Sequence, residues 1–357
     1  MAFFLAEAVT GGTLIGLSVA NHVRMTGRGS STTRLSKTLF GPVGKPAWNH
    51  ALTYTLGLSL GGLGYNLVYG NDQTINTSTT FGMGNLGLFS SSLLMTIASR
   101  IGKGDVISHM ICGSARTSKR SLYATACFIV GGAIGGLLPS AANVVASGPH
   151  SSESGVNVVM PTTYRDWQKL VLLVAGTVVK HFTLNYMATS NILNKRVMAT
   201  MATLHNAGLL AFGLGVAGLF RPAKVASFFQ FNKSWDPTFG VVAFVAILTS
   251  YLTFQKHSKR AAKKSKKIKP NVNGCGYKLA STTAAPDRGL ILGSLAFGAS
   301  MGASGLMTGS LFSNITTGNK GVLSALGGSL VGVLIYIFLL EPKKKPKSKK
   351  KPKKVNN

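Results

Sequence analysis

The chain has 357 residues, of which 45% are hydrophobic, and a formal net charge of +30. A charge this positive would suit nucleic acid, but the cations concentrate in Lys256–Lys269 and Lys343–Lys354 without interleaved aromatic residues or a nucleic-acid-binding motif. The three cysteines, Cys112, Cys127 and Cys275, have the spacing of neither a disulfide framework nor a zinc site. Composition therefore argues against a nucleic-acid-binding protein and against a disulfide-rich or zinc-dependent domain.

Nine apolar stretches have the length of a membrane-spanning helix, which needs about 20 residues. In lipid such stretches must be helical, because no water satisfies their backbone groups. The first of them starts without a charged segment before it, so it is expected to be a retained span and not a cleaved signal peptide. The sequence predicts an all-α polytopic membrane protein with about nine transmembrane helices, at residues 2–20, 46–69, 78–100, 120–146, 168–190, 197–219, 237–254, 288–306 and 320–340.

The distribution of positive charge predicts an orientation in the membrane. Threading the spans through a bilayer places all but seven of the 38 Lys and Arg residues on the side of the C-terminal tail, the exceptions being Arg165, Lys169, Lys180, Arg221, Lys224, Lys233 and Lys320. By the positive-inside rule this side is cytosol or matrix, in a bacterial plasma membrane or a mitochondrial inner membrane. Lys256–Lys269 and Lys343–Lys354 are expected to bind anionic lipid or acidic protein partners.

Four places share one pattern, in which a Gly-rich apolar helix is followed by a short polar break and a weaker apolar segment. They begin near Gly11, Phe81, Leu209 and Arg288, and the threading puts two breaks on each side of the membrane. This pattern predicts an inverted repeat with four re-entrant helix–loop elements, whose half-helices aim free N–H groups and a positive dipole end at a small anion.

The predicted organisation follows from this repeat. Its parts are a first membrane repeat at 1–146 with two re-entrant elements, a loop and connecting span at 147–196, a second and inverted repeat at 197–340 that contains a basic loop at 255–287, and a disordered polybasic tail at 341–357. Small residues spaced as Gly-x-x-x-Gly predict close helix packing within the repeats, at Gly131/Gly135, Gly298/Gly302 and Gly328/Gly332.

At the breaks the sequence resembles the YeeE/YedE sulfur-transport family, a group of thiosulfate permease-like membrane proteins. The matching stretches are "GGTLIGLS…GRGS" at 11–30, "SHMICGSARTSKRSLYATACF" at 108–128, "FGLGVAGLFRPAKVASFF…WDP" at 212–237 and "LAFGASMGASGL" at 295–306. The resemblance implies an inverted-repeat fold around a narrow anion path along which cysteine thiols pass thiosulfate. His109 and Cys112 match the family, whereas Asp105 stands in place of one family cysteine, and Met307 and Thr308 replace a cysteine and a proline.

The predicted substrate path consists of polar or sulfur-containing side chains at the breaks, namely Asn21, Arg28, Asp105, Ser108, His109, Cys112, Lys224, Met307 and Thr308. His109 can bind an anion or titrate near neutral pH, or it can bond the backbone of a helix break. Cys112 is either a path thiol or a small buried hydrophobe. Arg28 and Lys224 can serve an anion or lie beside lipid headgroups, and Met307 and Thr308 can line the path or only pack.

Two ionisable groups are of special interest because charge at membrane depth is costly. Asp105 is interpreted as paired with a cation such as Arg116, Lys119 or Lys180, with binding of a cation or a proton as the alternative. Lys180 lies in the middle of a span, where an ionisable group is a functional hypothesis by default unless its long side chain reaches the interface.

Two functional hypotheses remain open from the sequence. The chain lacks a metal-ligand pattern, a phosphate loop and a nucleophile elbow, so neither an enzyme nor a cofactor is predicted. The first hypothesis is a permease or channel-like transporter of a small sulfur-containing anion such as thiosulfate. The second is a transport-inactive accessory subunit of a larger membrane complex, motivated by the replaced cysteines and the polybasic extensions.

Overall fold

The computed structural model describes most of the predicted membrane region, namely residues 2–33, 38, 46–69, 83–138, 157–159, 164–190, 192–232, 235–263, 270–272, 276–277, 279 and 281–340. Its α-helices are α1 (Leu5–Thr26), α2 (Pro46–Tyr69), α3 (Asn85–Ile101), α4 (Lys119–Gly136), α5 (Tyr164–Thr189), α6 (Lys195–Val216), α7 (Pro222–Phe228), α8 (Thr238–Lys263), α9 (Arg288–Ser304), α10 (Thr308–Ser313) and α11 (Lys320–Ile335). Two π-helices, Ile107–Gly113 and Tyr336–Leu340, and a 3₁₀ turn, Ile315–Thr317, complete the helical elements of these ranges.

Within the described ranges, each of the nine predicted spans overlaps one long helix. Three helical segments are long and apolar enough by themselves to cross a membrane, namely Lys195–Val216, Thr238–Gln255 and Lys320–Leu340. The prediction of a helical membrane protein is therefore confirmed at this coarser level. That all nine helices cross the bilayer stays a prediction.

Three details differ from the sequence expectation. Ala2–Phe4 form a short strand that pairs in parallel with Asn157–Val159, so the chain is not entirely helical. Helix α1 continues to Thr26, beyond the predicted end at residue 20, because the polar residues of its last turns are held inside the protein by other helices. Helix α4 ends at Gly136, ten residues early, shortly before Pro139, which disfavours a helical residue in front of it.

Eight of the long helices in the described structure, all except α5, form two groups of four with the same packing pattern. In the first group α1 packs against α6 and α8, and α6 also packs against α2; in the second, α9 packs against α3 and α4, and α3 also packs against α11. Each group takes two helices from the first half of the chain and two from the second. The short elements connect the groups, because the π-helix Ile107–Gly113 contacts α1 and α8, α7 contacts α9, and α10 contacts α2 and α6.

Glycines allow the helices of each group to approach closely. A methyl group added to Gly131 or Gly135 of α4 would overlap a carbonyl oxygen of α9, and one added to Gly298 or Gly302 of α9 would overlap a carbonyl oxygen of α4. Gly328 and Gly332 face α3 in the same way. The predicted Gly-x-x-x-Gly packing is therefore present at all three pairs.

The described part combines a buried apolar core with many large apolar side chains exposed on its outer faces. Many polar side chains are buried between the helices, whereas large apolar side chains stand exposed on the outer faces, for example Leu60, Leu67, Ile134, Phe244 and Leu323. Exposed apolar surface of this extent marks a surface covered by lipid or protein. The charged pair outside these faces, Lys103 and Asp287, holds the end of α3 to the start of α9, and its hydrogen bond keeps the pKa of Asp287 below its usual value.

Candidate functional site: the meeting point of the helix breaks

Four helices precede the predicted breaks, namely α1, α3, α6 and α9. Each of them is followed by one residue with left-handed backbone. These residues are Gly27 (φ 70°), Lys103 (φ 59°), Gly218 (φ 71°) and Gly305 (φ 67°). A left-handed residue after the last turn is a common way to end a helix. We number the four breaks in chain order as residues 27–33, 102–106, 217–221 and 305–307. A short helical element follows the second, the third and the fourth, namely Ile107–Gly113, α7 and α10.

Asp105 joins the first two breaks. One of its carboxylate oxygens accepts hydrogen bonds from the backbone N–H of Thr32 (2.8 Å), the N–H of Thr33 (3.2 Å) and the hydroxyl of Thr32. The other oxygen accepts from the N–H of Ser108 (2.9 Å), and the Ser108 hydroxyl accepts from the N–H of Asp105 (2.8 Å). The fully buried carboxylate therefore joins the backbone of the first break to the first turn of the π-helix Ile107–Gly113. Amide and hydroxyl donors take the place of the cation that was expected as its partner.

Thr308 brings the fourth break to the same point. Its hydroxyl oxygen lies 2.7 Å from that of Thr32. The single hydroxyl proton of Thr32 is used by the Asp105 carboxylate, so the Thr308 hydroxyl must be the donor of the second bond. A continuous hydrogen-bonded chain, Thr308 to Thr32 to Asp105, thus connects three of the four breaks.

His109 holds the second break to the start of α4. Its Nε2 lies 3.3 Å from the carbonyl oxygen of Gly102, and its Nδ1 lies 3.2 Å from the hydroxyl of Ser121. A carbonyl can only accept, so we assign the proton to Nε2, with Nδ1 accepting from Ser121 in the neutral ring. The ring is buried and fills the space beside Gly104, where a methyl group would overlap it. Its contacts match the expectation of a residue that bonds the backbone of a helix break.

Cys112 and Met307 lie in the apolar part of the centre. Cys112 is a buried thiol of the π-helix Ile107–Gly113. Met307 is buried and lines a small cavity of about 10 Å³ together with Ile15, Ile107, Ile111, Leu214 and Val242. The lining is entirely apolar, and the volume is at the lower limit for one water molecule. The centre of the protein is therefore closed at this point.

Lys224 lies in α7, directly after the third break and apart from the Asp105 cluster. The side chain is buried next to Gly218 and interacts electrostatically with Asp236, Arg221 and Glu7. Asp236 accepts hydrogen bonds from the backbone and side chain of Thr238 through one oxygen, while its other oxygen is buried without a hydrogen-bond partner. The third break thus holds buried charge of both signs near the start of α8.

Two predicted site residues lie elsewhere. Asn21 belongs to a network in which its amide donates to Asn206 (3.0 Å) and its oxygen accepts from Arg24 (3.0 Å), which also donates to Asn185 (2.6 Å). This network ties α1 to α5 and α6, so the prediction that Asn21 joins the breaks is wrong for its side chain. Lys180 is exposed on α5 and interacts electrostatically with His205 of α6.

Sequence reasoning missed four residues near the first break, namely His22, Ser30, His50 and Tyr54. His22, fully buried, stacks on His50 with ring centroids 5.5 Å apart and meets Tyr54 edge-on at 5.4 Å. Tyr54 in turn interacts with Ser30, Asp105 and Cys112. The spacing of His50 and Tyr54, four residues apart on a helix, places them on one face and was the available signal. Arg28 interacts electrostatically with both histidines, so this predicted site residue lies beside the same group.

Some of the predicted features fall outside the part that can be described. The side chains of Lys256–Lys269, the whole of Lys343–Lys354 and Cys275 lie outside the described residues. Among the residues that are described, no group of three or more His, Cys, Asp or Glu side chains has the arrangement of a metal site.

Comparison with known proteins finds relatives that are named probable transporters. A family model described as a family of unknown function (DUF6691) matches residues 197–349. A probable transporter of Xylella fastidiosa strain Temecula1 is 30% identical over 124 residues, which are 35% of this chain and 87% of the relative. The chain belongs to the family of this probable transporter. A second probable transporter, from strain 9a5c of the same species, is 28% identical over 124 residues with the same coverage. No solved structure matches.

The family model covers α6 to α11, which is the part that holds the third and fourth breaks. The remaining half of the chain contributes the first two breaks, and the two halves interlock in both helix groups. The hydrogen-bonded chain from Thr308 through Thr32 to Asp105 therefore joins residues of both halves.

Proposed function

We propose that this protein is a membrane permease that moves a small sulfur-containing anion, such as thiosulfate, through the meeting point of its helix breaks. The observation that supports this most directly is the chain from Thr308 through Thr32 to Asp105, which brings three interrupted helices together inside the protein. Irregular backbone inside a membrane protein is tolerated where it is buried in protein or lines a path. The named relatives, both probable transporters, support the same class of function.

The proposal includes nine membrane-crossing helices and an inverted repeat. The two helix groups support it, because they share one packing pattern and each combines two helices from either half of the chain. The short elements α7, α10 and Ile107–Gly113 would be the re-entrant segments, since they cross between the groups. In this arrangement the C-terminal tail lies in the cytosol or matrix, as the positive charge of the sequence favours.

The binding chemistry is expected to come from side chains more than from helix ends. The amides of Thr32, Thr33 and Ser108, which an anion could otherwise use, already serve the Asp105 carboxylate. The described cations at or beside the breaks include Arg28, Lys103, Arg221 and Lys224, and Lys103 is paired with Asp287. We assign the attraction of the anion to Arg28 and Lys224, which the sequence predicted for the path, with Cys112 as its thiol.

The two departures from the YeeE/YedE pattern support a modified path over a random loss. Asp105 and Thr308 replace a cysteine and a proline of that pattern, and in this protein they are the two ends of one hydrogen-bonded chain. A cysteine could not accept all of these bonds, and a proline could not donate one. The apolar cavity beside Met307 corresponds to a closed state, so transport requires a movement that opens it.

Uptake by proteoliposomes tests this proposal with a matched pair of cysteine variants. Purified wild-type protein is expected to take up labelled thiosulfate and sulfite. Cys112→Ala is expected to lower thiosulfate uptake at least tenfold, because it removes the only described thiol at a break, whereas Cys127→Ala on α4 leaves uptake unchanged. Equal uptake by both variants would remove Cys112 from the path. No uptake by folded wild-type protein would contradict the permease and favour an accessory subunit.

A further inference from the structure

Three neighbouring polar side chains in the described structure are buried without a hydrogen-bond partner. They are His22, with both ring nitrogens unpartnered, the hydroxyl of Tyr54 and the hydroxyl of Ser30. All three side chains are at most 2% exposed. The hydroxyls of Tyr54 and Ser30 lie near each other but outside normal hydrogen-bond geometry. Each buried group left unpaired costs about 1–3 kcal/mol, so such a concentration at one point requires an explanation.

The three groups belong to one cluster with His50, whose ring centroid lies 5.5 Å from that of His22 and 6.3 Å from that of Tyr54. His50, at the half-buried start of α2, stacks on His22 with the ring planes 24° apart. His22 meets the ring of Tyr54, and Tyr54 reaches Ser30 and the Asp105 carboxylate at the meeting point of the breaks. This cluster is separate from the apolar cavity beside Met307, whose lining includes none of these residues.

The side chains of this cluster mainly offer hydrogen-bond donors. The Tyr54 and Ser30 hydroxyls and a ring N–H of His22 can all donate hydrogen bonds. His50 adds no further donor, because the Thr203 hydroxyl gives its proton to the carbonyl of Ala199 and so accepts the Nδ1 proton of His50 at 3.3 Å, which leaves only an acceptor on the neutral ring. Arg28 adds positive charge beside both histidines. Positive charge and several donors favour an anion with several acceptor oxygens and disfavour a metal cation.

We propose that His22, Tyr54, Ser30 and Arg28 form the binding site at which the transported oxyanion is held before it reaches Asp105. This inference rests on the proposed function and names the site within it. The anion enters beside His50 and takes up the unpartnered donors. The negative charge of Asp105, near Tyr54, limits how far the anion advances until the protein opens.

Equilibrium binding of labelled thiosulfate to the purified full-length protein, with ionic strength held constant by chloride, tests the site. Tyr54→Phe and Ser30→Ala are each expected to weaken binding about tenfold or more, because each removes one hydrogen bond to a charged ligand. Both variants remove only an unpartnered hydroxyl, so the melting temperature in the absence of ligand should not fall. Tyr65→Phe, on the same helix, and Ser294→Ala, whose hydroxyl is equally buried and unpartnered, are matched controls expected to bind like the wild type.

The outcomes separate the site from the transport function. Unchanged affinity in Tyr54→Phe and Ser30→Ala, or no saturable binding by folded wild-type protein, would overturn the site. Weakened binding in these variants, with no uptake by wild-type proteoliposomes, would uphold an oxyanion site and overturn the permease. Normal uptake together with unchanged binding in both variants would uphold the permease and overturn the site.

Discussion

Replacing Asp105 with alanine is expected to lower the free energy of unfolding by about 3–5 kcal/mol, the largest effect of any single polar substitution that we foresee. The change leaves the N–H groups of Thr32, Thr33 and Ser108 without their acceptor inside the protein. Unpaired buried donors cost about 1–3 kcal/mol each, and partial entry of water reduces the sum. Thermal unfolding of the detergent-purified protein measures the effect.

Two further variants make this prediction specific. Asp105→Asn should lose roughly half as much, because its amide oxygen can still accept from Thr32 and Thr33 while its NH₂ faces the N–H of Ser108. Asp287→Ala should cost at most about 1 kcal/mol, since that side chain is 45% exposed and its ion pairs with Lys103 and Arg120 lie at the surface. Equal melting temperatures for Asp105→Ala and Asp287→Ala would contradict this structural role of Asp105.

Gly305→Ala is expected to lower the free energy of unfolding by about 2–5 kcal/mol. Gly305 ends α9 with φ of 67°, where an alanine costs roughly 1–2 kcal/mol. Its Cα also lies against the start of α7, and an added methyl group would overlap the backbone carbonyl of Pro222, which cannot move without shifting the third break. Overpacking of this kind adds about 1–3 kcal/mol.

Gly318→Ala is the matched control for this effect. Gly318 has nearly the same backbone, with φ of 65°, but a methyl group there would meet open space. It should therefore show only the backbone cost of roughly 1–2 kcal/mol. Thermal unfolding of the two variants separates the cost of the backbone conformation from the cost of the steric overlap with Pro222. An equal loss of unfolding free energy in both would show that the third and fourth breaks are not packed against each other.

The positions of the long helices were predictable because lipid imposes a simple requirement on length and hydropathy. Helix α2, for example, has the predicted bounds 46–69. The end of α1 was not predictable in the same way, because Asn21, His22 and Arg24 lower the hydropathy while their polar atoms or rings are enclosed by neighbouring helices. A hydropathy profile gives the average polarity of a segment. It therefore does not detect polar side chains that are buried between several helices.

The candidate site was predictable in part. Asp105, Ser108 and Thr308 were predicted from the breaks, because polar residues beside glycine interrupt a helix, and hydrogen bonds connect them in the structure through Thr32. Their place on a substrate path stays a prediction. Thr32, the hydrogen-bond partner of Asp105, and the cluster with His22 and Tyr54 were missed. Contacts between segments far apart in sequence depend on packing, which no local sequence pattern shows. Asn21 was misplaced for a related reason: it follows α1 into the protein but points to α6.

The most direct test of the central claim, that this protein carries a small anion across a membrane, is a charge-movement recording. Proteoliposomes of the wild-type protein are adsorbed to a solid-supported membrane and exposed to a thiosulfate concentration jump at constant ionic strength. Transport of the anion predicts a current with the sign of inward negative charge, reduced in Cys112→Ala and present in Cys127→Ala. No current from protein that unfolds cooperatively and remains in the bilayer would contradict the claim.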